Sequence, residues 1–101
     1  MKSIVEKEKI NRERAMMRKL CDHLVPRVMN ENGIEYILTH NSKSTVISVH
    51  IKDNKWIDFR FHSFDATTFI ARLEKIPAQI RAIRDLFETL DGDITIVKRP
   101  A

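Results

Sequence analysis

Ile34-Glu35-Tyr36-Ile37-Leu38-Thr39-His40, Thr45-Val46-Ile47-Ser48-Val49-His50-Ile51 and Lys55-Trp56-Ile57-Asp58-Phe59-Arg60-Phe61-His62 are three consecutive runs in which every second side chain is large and apolar. A period of two is that of a β-strand with one face turned to a core. The polar stretches between the runs, Asn41–Ser44 and Asp53–Lys55, read as turns. Alternation assigns the faces. Ile34, Tyr36 and Leu38, then Ile47, Val49 and Ile51, then Ile57, Phe59 and Phe61 form the expected buried face. Leu38 is expected opposite Ile47. A three-residue turn is expected to bring Ile51 opposite Ile57, because a slip of one residue would turn a whole strand over.

Working outward from the sheet, both flanks read as helical. Upstream, Ile10, Met17, Leu20, Cys21, Leu24 and Val28 recur three or four apart within a helix of roughly Ile4 to Asn30. Pro26 kinks or breaks this helix, and Gly33 suits the left-handed cap that ends it. Downstream, Asp65 is a candidate N-cap for a helix over Ala66–Lys75. Pro77 is expected to open a third helix, whose stripe is Ile76, Ile80, Ile83, Phe87 and Leu90. Asp93–Lys98 reads as a short final strand at an edge. The expected fold class is therefore α+β, with helices packed on one face of a three-stranded antiparallel meander.

The chain of 101 residues fits one domain, 1–101, and 43% apolar content supplies a core. A single cysteine, Cys21, excludes an internal disulfide and points to a reducing compartment. The N-terminal sequence is too charged for a secretory signal, and no apolar run is long enough to cross a membrane. A cytoplasmic protein is expected. The net charge of +4 is concentrated early: residues 1–31 carry eight basic and five acidic side chains, and residues 63–101 carry six of each.

Three chemistries are expected to compete for the remaining surfaces. On the outer sheet face the expected register aligns Glu35, His50 and Asp58 in one row, the donor set of a general acid/base centre in a small hydrolase or metal-dependent enzyme. Opposite charges across strands are also ordinary sheet stabilisers. No metal-ligand spacing and no phosphate-loop or cofactor motif is present. On the first helix, Arg12, Arg14, Arg18 and Lys19 are candidate nucleic-acid contacts, although Glu6, Glu8 and Glu13 are interleaved along the chain. The helix–three strands–helix order resembles that of double-stranded-RNA-binding domains. Those domains open their second helix with a Gly- and Lys-rich segment, whereas Ser63-Phe64-Asp65-Ala66-Thr67-Thr68 has no positive charge. Order alone does not assign the family.

The third expectation concerns contact with protein. A helix from residue 4 to residue 30 is about 40 Å long, but seven-residue strands span only about 23 Å. Residues 1–11 should overhang the sheet, carrying Ile4, Val5 and Ile10. Ile37, Val46 and Trp56 leave apolar side chains on the outer sheet face. The leading expectation is a small non-enzymatic interaction module whose partner is a second copy or another protein. Nucleic-acid binding and His50-centred catalysis are the alternatives.

Overall fold

The computed structural model describes residues 4–41, 43–62 and 65–90. Helix α1 (Ile4–Lys19) runs through a π-helical turn (Leu20–Leu24) into α2 (Val25–Glu31). Strands β1 (Tyr36–His40), β2 (Thr45–Lys52) and β3 (Lys55–Phe61) follow, then helix α3 (Ala66–Leu90). The strands form one open antiparallel sheet in the order β1-β2-β3. The expected final strand, Asp93–Lys98, lies outside the described residues.

The β1–β2 register agrees with the alternation, with Leu38 opposite Ile47. The β2–β3 register does not. Val49 faces Ile57, His50 faces Trp56 and Ser48 faces Asp58, with an irregularity between His50 and Lys52. The turn holds two residues, Asp53 and Asn54, between the paired Lys52 and Lys55, and Asp53 takes a positive φ of 52°. Ile51 is the extra residue of a bulge, so β3 slides by two positions from the expected pairing. A slide of two keeps every side chain on its face. Ile34, Ile47, Val49, Ile51 and Phe61 are buried, and Tyr36, Leu38, Ile57 and Phe59 half-buried.

The π turn explains how one straight rod stays on the sheet. Its buried side chains are Met17, Cys21, Val25 and Met29, each four residues after the last. Every fourth residue of an α-helix drifts by about 40° round the axis, about 120° over three steps. The wider π turn absorbs one residue's worth of rotation and returns Val25 and Met29 to the face of Met17. Its defining bond runs from the Val25 N–H to the Leu20 carbonyl. The turn ends two residues before Pro26, whose ring would crowd a regular i−4 carbonyl. The rod ends at Gly33, φ 63°, with Ile34 N–H donating to the Met29 carbonyl at 2.8 Å and Gly33 N–H to Asn30 at 3.1 Å. This pair of bonds is a Schellman cap, closed by contact between buried Met29 and Ile34.

The two helices expected after the sheet are one. Pro77 sits inside α3 and forfeits the bond to the Leu73 carbonyl. That costs about 3 kcal/mol. Phe69, Leu73, Ile76 and Ile80 are all buried on a stripe that continues through the proline. Each contributes about 1.5–3 kcal/mol, so together they outweigh the break. Phe61 packs on Phe69 with centroids 4.8 Å apart, and the Lys55 ammonium lies 4.9 Å from the Phe87 ring centroid. Helix α3 therefore runs back along the sheet, antiparallel to β3.

Candidate functional site

The outer sheet face carries the first candidate. His50 lies opposite Trp56 rather than Asp58, with ring centroids 4.9 Å apart and planes at 44°. Its neighbour on β1 is Glu35: the His50 N–H donates to the Glu35 carbonyl at 2.9 Å, and Nδ1 lies 3.2 Å from Glu35 Oε2. The other ring nitrogen, Nε2, meets the carbonyl of Asp53 in the turn. Both partners are acceptors, so both contacts form together only when both ring nitrogens carry hydrogen. Both ring nitrogens are thus already partnered, one by β1 and one by the turn. Asp58 is claimed one row away, where Ser48 Oγ donates to its Oδ1 at 2.6 Å. The expected Glu35–His50–Asp58 row thus divides into Glu35–His50–Trp56 and Ile37–Ser48–Asp58, because of the bulge at Ile51.

The apolar patch expected on this face is mostly closed by its own neighbours. Val46 is buried and Trp56 half-buried against His50, while Ile37 stays 43% exposed. Ser48 is fully buried. Its short side chain lies between Ile37 on β1 and Asp58 on β3.

The inner face holds a polar chain that the sequence did not announce. Thr45 is buried where β2 meets the helices, and its hydroxyl bonds His40 Nδ1 at 2.6 Å and also the Cys21 thiol. Burial pushes the Cys21 thiol up to about 11, with Asp22 adding to the rise and the Thr45 bond opposing it. A thiol in that state is not a nucleophile. His40 is pushed below its ordinary value of 6.5 by burial first and Arg18 second, with Asp22 opposing. Among the described residues, no three His, Cys, Asp or Glu side chains converge as metal ligands.

The N-terminus of α3 is closed to anions by its own cap. Asp65 Oδ1 accepts from the Thr67 and Thr68 N–H groups at 2.9 and 3.3 Å, and Oδ2 accepts from the Thr68 hydroxyl at 3.1 Å. The Thr68 N–H and hydroxyl hold the carboxyl below its usual range. A groove of about 420 Å³ lies between β3 and α3, with Phe59, Phe61 and Ile83 on its apolar walls and Arg72 and Lys75 at its rim. Arg72 stacks on Phe61, 4.4 Å from the ring centroid.

The first helix separates its expected cations. Arg14 and Arg18 line a hollow with Asn11 and Asp22, on the flank nearest His40. Lys19 borders that hollow and also a second one, shared with His23 and Arg27. Arg12 is exposed on the outward face. None of Arg12, Arg14, Arg18 and Lys19 is held in an ion pair among the described residues. Glu8 lies one turn before Arg12 and Asp22 one turn after Arg18, so carboxylates stand on the same flanks as these cations without closing an ion pair. Ile4 and Val5 are 76% and 70% exposed, and Ile10 is half-buried. Among the described residues, no helix is long and apolar enough to cross a membrane. Compared with known proteins, the chain matches no family model, no curated protein and no solved structure.

Proposed function

We propose that this chain is a non-enzymatic interaction module, and that its docking element is the projecting start of α1. One observation carries the reading: no residue of α1 before Met17 is buried. The helix nevertheless continues outward, giving principal extents of 55 × 26 × 22 Å. The radius of gyration is 15.8 Å, where a compact chain of this length has about 13 Å. An extended helix with Ile4 and Val5 in water gains nothing from its own core. Packing against the same arm of a second copy supplies the missing burial.

Light scattering tests this. The full chain is expected at about twice the 11.9 kDa of one chain, and a variant lacking residues 1–11 at one chain mass. Equal monomeric masses for both would remove the self-association reading. Catalysis at His50 is the weaker reading, because both ring nitrogens face acceptors and Ser48 is bonded to Asp58 instead.

A further inference from the structure

We infer that the outward face of the α1–α2 rod is a binding surface for the phosphodiester backbone of nucleic acid. This stands on a different observation from self-association through the arm. The π turn that keeps Met17, Cys21, Val25 and Met29 on the sheet does the same for the opposite side of the rod. Lys19, His23 and Arg27 are also four residues apart, and all three line one hollow. Without the π turn they would drift round the axis by about 40° per step. With it they stand one above another. Arg12 lies seven residues before Lys19, two turns along the same face. The resulting column, three cations (Arg12, Lys19 and Arg27) with His23 between the last two, is about 22 Å long at 1.5 Å per residue. All four are exposed. From Arg12 to Arg27 no carboxylate lies in the column. Glu13 is half-buried, on the side nearer the sheet, and Asp22 lines the neighbouring hollow with Arg14, Arg18 and Lys19, flanking the column rather than standing in it.

The chemistry of this column selects the partner. A membrane surface would need a broad apolar face turned outward, but of the large apolar side chains between Arg12 and Arg27 only Met16 is exposed, at 53%. A protein interface would need an apolar centre inside a polar rim, and here the apolar surface is limited to Met16 and to the half-buried Leu20 and Leu24 beside Lys19, His23 and Arg27. A nucleic-acid backbone presents repeated single charges and asks for a row of cations with no apolar core. Short π segments are also concentrated at functional sites in helices.

Fluorescence anisotropy of the full chain with a labelled 20-base-pair DNA duplex between 50 and 200 mM salt tests the inference. Binding is expected to weaken with a log–log slope of about −3, as for three or four phosphates neutralised. The variant Arg12→Gln/Lys19→Gln/Arg27→Gln is expected to lose at least tenfold in affinity. Arg72→Gln/Lys75→Gln, on the other helix, is expected to change it less than twofold. Absence of binding at 50 mM salt overturns the inference. So does unchanged binding by the triple variant with its helical circular dichroism intact. Equal affinity for a poly-glutamate peptide of the same charge overturns it in favour of an acidic protein partner. Duplex binding by the variant lacking residues 1–11 separates this surface from the arm, because the column survives that truncation.

Discussion

His40, Thr45 and Cys21 form a hydrogen-bonded chain between sheet and helix, and its middle member is fully buried. Such a chain favours a neutral imidazole, since a second proton on His40 is opposed by burial and by Arg18. The unfolded chain therefore takes up that proton first as pH falls. Stability from His40 is complete above its ordinary value of 6.5 and erodes as pH drops below it. Urea midpoints at pH 7.5 and 5.5 should fall with acid, and His40→Gln should flatten part of that fall. Ser48 makes a different contribution. Its hydroxyl is buried and donates to a carboxylate, so Ser48→Ala should cost about 1 kcal/mol by chemical denaturation. Little of this detail was legible beforehand. Thr45 is one more polar residue at a strand start, and only the helix laid over it shows that its hydroxyl has two partners.

The elements were legible to different depths, for identifiable reasons. Alternation placed Leu38 opposite Ile47, because a slip of one residue would have exposed the apolar set. The same signal cannot see a slide of two, which leaves every face unchanged. The bulge at Ile51 used that freedom to move Asp58 from His50 to Ser48, and with it the expected catalytic row. Pro77 was read as a beginning because proline suits a first turn, yet the buried stripe on either side proved worth more than one lost bond. Pro77→Ala should therefore stabilise the chain, by about 1–3 kcal/mol in thermal or urea unfolding, as the Leu73 carbonyl regains a donor. The π turn had no signal in composition. It is readable only in hindsight, from four buried residues spaced by four. Removing Asp22 should restore a regular helix without turning the upstream part, because the π turn had absorbed one residue's rotation of about 100°, so Met17 stays on the face of Val25 and Met29. The expected result is cooperative unfolding retained, measured by circular dichroism against urea, whereas insertion of one alanine after Asp22 should rotate Met17 by about 100° off the core and abolish it.

The whole molecule divides into a packed sheet-and-helix body and an arm that adds length without adding core. Loss of residues 1–11 should lower stability by less than about 1 kcal/mol, since the arm buries little and surface changes seldom cost more. A larger loss that persists at protein concentrations too low for self-association would show that the arm is held by its own body. The body is built round a seam where the rod of α1, the π turn and α2 lies on the sheet. Cys21, the chain's only cysteine, sits in that seam. Because its sulfur is both covered and protonated, a thiol reagent reaches it only when rod and sheet part. With reagent concentrated enough that labelling outpaces reclosing, its rate therefore counts those partings. The natural chain thus carries its own clock for opening, readable without any added probe, and occupancy of the arm or of the basic column should slow it.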